Sequence, residues 1–417
     1  MKILVSAYAC NPYKGSESAA GWNWAYQIAK QGNEVWCFTT PNSKADIEKA
    51  LPETGLTNLH FIYVSVPKWV DRLYKYRPGL YWHYQAWQNH TFRIAKELDK
   101  SVQFDVIHHI SLGSLQFGSG LWRLRKPFIF GPVGGGQFSK SAFRRYFYWE
   151  WYQEIARFFL SKFLMNFNSN TINTIQTADL IYVTNEETYD MAQKSGARNV
   201  QYMLDTGVSQ HFWLTEFPHR EPKEVLKILW VGRMFPRKGI PLVLEALALI
   251  DPEQNPYQLT IVGDGPSRQI TEKLIVKHKL QNRVVMTGQV PWASVREAYL
   301  NHDVFMFCSL RDSFGAQLLE AMAFGLPIIT LNHQGARSFV PDNAGIKAPV
   351  KRPRDTVEFL KGAVEFMSAN PDKRIELGKN GFDFSRTQTW AEKAKIAIMN
   401  YSLFCKIEGI DEEFINK

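Results

Sequence analysis

Arg233 and Lys238 stand five positions apart in WVGRMFPRKGIPLV, directly after an apolar run that reads as a strand. Two cations on one loop beside a helix start can neutralise a diphosphate without help from a metal ion. Further along, SLRDSFGAQLLEAMAFGLPIIT carries two acids, Asp312 and Glu320, eight positions apart across Phe314-Gly315 and a helix-forming run. Eight helical residues rise about 12 Å. On that scale one carboxylate can hold a hexose hydroxyl and the other a ribose, with a diphosphate between them. A helix starting at Phe314-Gly315 would aim its positive end at the same diphosphate. Taken singly, these residues are a solvated loop, a helix-start acid and an ordinary helix glutamate; the placement of the cations at a strand edge and the glycine adjoining the acids favour a shared site. IVGDGP adds Gly263 and Gly265 at a strand end, where a plain turn or a flat base lying against backbone fits equally.

The first half has looser candidates. In NPYKGSESAAGW, Gly15 permits close backbone approach and Ser16 could cap the following helix, the geometry of an anion site and equally of an ordinary strand–helix turn. GPVGGGQ, residues 131–137, is a second glycine cluster at a strand end.

Elements able to position these residues alternate along most of the chain. KILVSAY, EVWCFTT, LHFIYVS, DVIHHI, PFIFGPV, DLIYVT and VQYML read as buried strands, with helical text such as SESAAGWNWAYQIAKQG between them, closed by Gly32. A second series runs through KILWVGR, LTIVGDG, RVVMTG, VFMFCS and PIITLN. Apolar strands alternating with helices imply parallel sheets covered on both faces, hence two doubly wound α/β domains with ligands at the carboxyl ends of their strands. The expected division is an N-terminal Rossmann-like domain over 1–214, a polar linker TEFPHREPKE over 215–224, a second Rossmann-like domain over 225–388, and a helical segment over 389–417 that packs back toward the N-terminal domain.

At 417 residues, two domains of about 200 residues each are the natural count. A net charge of +9 favours anionic partners, but the charge is spread through the chain without nucleic-acid recognition modules, so small phosphates and lipid head groups outweigh DNA or RNA. Cys10, Cys37, Cys308 and Cys405 lack metal or redox spacing; the first three sit in apolar text and read as buried free thiols of a reducing cytosol. No run approaches the ~18 apolar residues of a membrane span. The stretch 138–168 interleaves Arg144, Arg145, Arg157 and Lys162 with many aromatic residues, which suits an anionic bilayer interface or a packed helical insertion. KWVDRLYKYRPGLYWHYQAW could extend that surface.

Over nearly the whole chain these features resemble family 4 of the retaining, nucleotide-sugar-dependent glycosyltransferases, which have the GT-B fold of two Rossmann-like domains facing an interdomain cleft. VGRMFPRKG resembles the family's G-R-x4-K-G, and IVGDGP, TGQVP and the acid-x7-Glu segment follow in the expected order. The resemblance implies acceptor binding for the first domain and donor-nucleotide binding for the second. It further implies that Arg233 and Lys238 bind the donor diphosphate, Glu320 the ribose, and Asp312 with the Phe314-Gly315 backbone the donor sugar. Gly15, Gly263, Gly288 and Val290 complete the donor side, while Glu17 and Gly134, Gly135 and Gly136 stand on the acceptor side. The family's H-x-H reads here as DVIHHIS, so His108 or His109 would face the sugar, unless both are packed strand-end residues. Asp312 replaces the usual Glu, shortening reach by about 1.5 Å.

The activity implied is metal-independent, cofactor-free hexosyl transfer with retention, from a nucleotide sugar to a glycan or polyprenyl-linked acceptor, in polysaccharide or lipopolysaccharide biosynthesis. The place implied is the cytoplasm or the inner face of the membrane. A binding subunit that has lost transfer is the alternative, and a sugar-nucleotide epimerase a weaker one.

Overall fold

The computed structural model describes residues 1–73, 79–209, 212–221 and 224–405. Part of the second aromatic stretch (74–78), two linker positions (222–223) and the end of the C-terminal segment (406–417) lie outside the described residues.

The first apolar series forms a seven-stranded parallel sheet: β1 (Lys2–Ala7), β2 (Glu34–Thr39), β3 (Leu59–Tyr63), β4 (Val106–Ser111), β5 (Phe128–Val133), β6 (Leu180–Val183) and β7 (Val200–Tyr202). Its order is β3-β2-β1-β4-β5-β6-β7. Successive side chains of a strand point to opposite faces. Ile3, Val5 and Ala7 accordingly enter one core with Trp24, Ile28, Trp390 and Tyr401, while Leu4 enters the other with Tyr84 and Trp87. Both faces being covered explains why the strands read as continuous apolar runs. The helix Glu17–Lys30 supplies Trp24 and Ile28 and ends at Gly32, whose N–H reaches Ala29 O at 2.9 Å with φ 85°.

The second series forms a six-stranded parallel sheet: β8 (Leu226–Val231), β9 (Tyr257–Val262), β10 (Val284–Gly288), β11 (Val304–Phe307), β12 (Ile328–Leu331) and β13 (Gly345–Ala348). Its order, β10-β9-β8-β11-β12-β13, reverses direction between β8 and β11. Ligands of such sheets bind where the order reverses, outside the carboxyl ends of the strands. The loops that leave β8 and β11 there are the ones carrying Arg233, Lys238 and Asp312.

The chain divides into two compact units that are not contiguous in sequence. One comprises Met1–Gly136, Ser161–Thr206 and Trp390–Lys417; the other comprises Gln137–Leu160 and Gly207–Thr389. The boundaries expected at 214 and 225 are therefore corrected. Residues 137–160 leave the first half to pack on the second unit, where Arg145 and Tyr146 both bind Glu245 on the helix Ile240–Leu247 (2.6 and 2.8 Å). The segment 215–221 is also no solvated spacer. Arg220 donates to the carbonyls of His302, Tyr299 and Phe324 (3.2 and 2.6 Å to the latter two). Phe324 caps the carboxyl end of the helix Ala316–Ala323, where a cation complements the unpaired carbonyls.

Candidate functional site

In the second unit the β8 and β11 loops are laced together. Leu310 N donates to Arg237 O at 2.7 Å, and Arg237 Nη1 donates to Arg311 O at 3.1 Å. Gly239, with φ 71°, makes this approach possible: a Cβ there would lie 2.0 Å from Cys308 O. The result brings Lys238 Nζ onto Asp312 Oδ2 in a charge-assisted hydrogen bond, with Arg237 Nη1 3.8 Å from Oδ1. Lys238 also lies over the Phe307 ring, 4.8 Å from its centroid. Burial pushes the Asp312 carboxyl up, but Lys238, Arg237 and Arg311 outweigh it and hold the group below the usual carboxylate range. The same burial draws the Lys238 ammonium down despite Asp312.

The Asp312 backbone is fixed as well. Its N–H donates to Gln334 Oε1 at 2.8 Å, and Gln334 Nε2 donates in turn to Phe138 O at 3.1 Å. Phe138 belongs to the 137–160 excursion, which also brings Glu154 to within 2.8 Å of Arg311 Nε and Ser139 Oγ to 3.2 Å from Leu310 O. Phe314 is buried, and Gly315 with φ 103° precedes the helix that begins at Ala316. Glu320, one turn further, accepts from Tyr299 OH at 2.9 Å. Desolvation pushes the Glu320 carboxyl up to about 7, against the lowering effect of that hydrogen bond. Gly263 N donates to Gly288 O at 2.9 Å, which draws the ends of β9 and β10 together beside partly exposed Val290. Arg233 is exposed and stacks on Phe235, 4.8 Å from the ring centroid.

The donor-side candidates Arg233, Lys238, Gly263, Gly288, Val290, Asp312, Phe314 and Gly315 lie at the carboxyl ends of β8, β9, β10 and β11 or on the loops that leave them, and Glu320 lies in the helix Ala316–Ala323 that follows β11. Three participants were missed from sequence. Tyr299, Glu154 and Arg311 each act through a partner at least 21 residues away, and no local pattern marks them.

The first-unit candidates are placed differently. His108 and His109 are fully buried in β4. His108 has Nδ1 on Tyr401 OH (2.5 Å) and Nε2 on Gly131 O (2.7 Å); His109 has Nδ1 on Ser6 Oγ (3.0 Å) and Nε2 on Tyr84 OH (3.2 Å). Burial lowers them to about 4 and about 3, so both are neutral core imidazoles. The expectation that one of them faces a sugar is corrected: each ring nitrogen already has a protein partner. Gly134, Gly135 and Gly136 are buried and serve packing, a Cβ at Gly135 meeting Gln116 Oε1 at 2.2 Å and one at Gly136 meeting Glu187 O at 2.2 Å. Gly15 is exposed, and Ser16, with φ 59°, makes no side-chain cap; Glu17 begins the helix and accepts from Gly113 N at 2.9 Å.

Residues 212–384 match the family described as Glycosyl transferases group 1. The GPI3 subunit of a phosphatidylinositol N-acetylglucosaminyltransferase from Saccharomyces cerevisiae is 24% identical over 194 residues, 46% of this chain and 42% of the relative. The match spans less than half the length of such curated relatives. Among solved structures, a sucrose-phosphate synthase from Thermosynechococcus elongatus is 20% identical with a TM-score of 0.65, over 97% of this chain and 100% of that one. HepE of Anabaena, solved in complex with UDP, is 15% identical with a TM-score of 0.62, over 96% and 99%.

Proposed function

We propose that this chain, a family 4-type glycosyltransferase with the α/β GT-B fold, moves a hexose with retention from a nucleoside diphosphate sugar to a glycan acceptor, a lipid-linked one serving cell-surface polysaccharide or lipopolysaccharide. The observation that carries this is the Lys238–Asp312 pair between Arg237 and the start of the helix Ala316–Ala323. Buried Lys238 and half-buried Arg237 beside a helix N-terminus can neutralise a diphosphate, so the proposed reaction calls for no resident metal. HepE, of the same fold, was solved with UDP, and a uridine or other nucleoside diphosphate is the ligand class this site would take.

In the proposed reaction the acceptor oxygen bonds to the anomeric carbon on the face that the leaving diphosphate departs. The anomeric C–O bond breaks, and the acceptor proton passes to a phosphate oxygen. This reading rests on which groups remain to act as base. Asp312 is held by Lys238, while His108 and His109 are enclosed. Leaving-group assistance needs only phosphate charge steadied by Arg233 and Lys238.

Calorimetric titration with a panel of nucleotide sugars, alongside slow donor hydrolysis, tests the proposal. One donor should bind and hydrolyse, and Lys238→Ala should weaken its binding by about a hundredfold. Binding with no turnover on any donor or acceptor would leave a binding subunit instead.

The lipid-linked acceptor draws support from exposed rings. Trp149 is 69% exposed, Tyr152 77%, Phe159 63%, Phe163 58% and Phe167 73%. Such rings with nearby cations suit a bilayer interface. No described helix is long and apolar enough to cross a membrane, so contact would be peripheral. Flotation with vesicles containing anionic lipid should carry the protein upward, and Phe159→Ser with Phe163→Ser should abolish it. Equal flotation of wild type and variant would remove this surface from the proposal.

A further inference from the structure

The sugar end of the site holds more positive charge than a diphosphate uses. Four cations, Arg157, Arg237, Lys238 and Arg311, and two carboxylates, Glu154 and Asp312, act electrostatically on one another. Asp312 is matched by Lys238 and Glu154 by Arg311, which leaves Arg157 and Arg237 in excess. Arg233 shares the Phe235 ring with Arg237 and raises the excess by one. A diphosphate esterified at both ends supplies two negative charges, so one positive charge remains to be met.

This excess lies at the Asp312 end. The other end, at Glu320, presents an acid and a tyrosine. Arg311 immediately precedes Asp312, and Arg157 reaches the same place from the excursion Gln137–Leu160. Arg157 is positioned firmly: Nη1 donates to Gln137 O at 2.9 Å, and the guanidinium stacks on Phe138, 5.1 Å from its centroid. Phe138 is itself tied through its carbonyl to Gln334, which holds the Asp312 backbone. Burial draws Arg157 down to about 10, and Arg311 and Arg237 add like-charge repulsion against the pull of Glu154. Crowding cations out of water is unfavourable unless an anion joins them.

We propose that Arg157 and Arg311 form an oxyanion subsite at the donor-sugar position, and that the preferred donor is an acidic hexose bearing a carboxylate of the uronic acid type. The inference rests on the donor-site reading above and narrows it to a sugar class. It also gives a reason for Asp312 in place of the longer Glu. A shorter acid leaves room at the sugar and stays on Lys238, so it presents less negative charge toward a carboxylate. The planar fork of an arginine matches a carboxylate with two parallel hydrogen bonds, which a lysine does not reproduce.

The test is calorimetric titration of the full chain with UDP, UDP-glucose and UDP-glucuronic acid, repeated with the guanosine and adenosine counterparts where available. The acidic sugar should bind about tenfold more tightly than its neutral counterpart on the same base. In Arg157→Gln the loss for the acidic sugar should exceed the loss for the plain nucleotide by about tenfold, and Arg157→Lys should recover only part of the preference. No preference for the acidic sugar, or equal losses for sugar and plain nucleotide, would overturn the inference and return the arginines to the diphosphate. Failure of every nucleotide to bind would instead remove the donor-site reading itself.

Discussion

Glu320 offers the clearest residue-scale handle, because burial pushes its carboxyl up to about 7 with Tyr299 as its hydrogen-bond donor. Its folded value lies above the ordinary 4.5. Stability from this group is therefore fully present below about 4.5 and is lost as the pH rises through about 7. Ligand binding should run the other way, since only the ionised carboxylate accepts two ribose hydroxyls. Nucleotide affinity is expected to rise several-fold between pH 6 and pH 8, to flatten in Glu320→Gln, and to shift its midpoint upward in Tyr299→Phe. Titrations across that range with a ribose and a 2′-deoxyribose nucleotide check it; a flat wild-type profile would detach Glu320 from the ribose. That Lys238 and Asp312 sit on strand-end loops, and that Glu320 lies on the helix after Asp312, were legible in the sequence, because each falls within one strand–loop–helix unit; the Lys238–Asp312 contact itself was not, since it joins two loops 74 residues apart. The fates of His108 and His109 were not. Strand alternation says that adjacent residues face opposite, covered sides of the sheet, but only the fold shows which groups meet the two rings, Tyr401 on one side and Tyr84 on the other. Arg157 was read within a stretch suited to a bilayer interface or a packed helical insertion; it is half-buried, stacked on Phe138 and attracted by Glu154 on its own helix, with Arg237 and Arg311 of the β8 and β11 loops opposing it.

At the scale of elements, strand ends decide how closely two loops approach, and glycine is the means. Gly263 adopts φ +132°, and a Cβ there would stand 2.0 Å from Gly232 O. Gly263→Ala must push β9 away from the end of β8 and strain the backbone as well, at a cost of about 2–4 kcal/mol. A lowered thermal midpoint together with weakened nucleotide binding is the expected result. An unchanged midpoint would show that the two strand ends are not held as close as the geometry requires. The alternation of apolar strands with helices made both sheets legible before any coordinates, because two-sided burial writes itself into every strand. The segment 215–221 was less readable. Its polar and proline-rich text is the usual mark of a linker, but Arg220 turns it into a clasp by spanning three carbonyls at helix and loop ends.

At the scale of the whole molecule, the chain crosses between its two units more than once, and each crossing carries a group the other unit lacks. Helix Trp390–Phe404 brings Trp390, Ala394 and Tyr401 into the first unit's core and supplies the hydroxyl on His108. The excursion Gln137–Leu160 brings the second unit Glu154 for Arg311 and Lys140, whose Nζ donates to Val350 O at 2.7 Å. Cutting the chain after Thr206 should therefore yield two impaired pieces. The piece 1–206 would leave the His108 face of its sheet uncovered, and the piece 207–417 would lose Glu154, the carboxylate of Arg311, together with Ser139 and Phe138, which hold Leu310 and Gln334. A recombined chain, 207–389 joined through a Gly/Ser linker to 137–160, restores that carboxylate and should unfold cooperatively where 207–417 does not. Denaturant unfolding of the three chains, followed by tryptophan fluorescence, decides the matter. If 207–417 unfolds with the same midpoint and steepness as the recombined chain, the excursion adds recognition to the second unit without contributing to its stability.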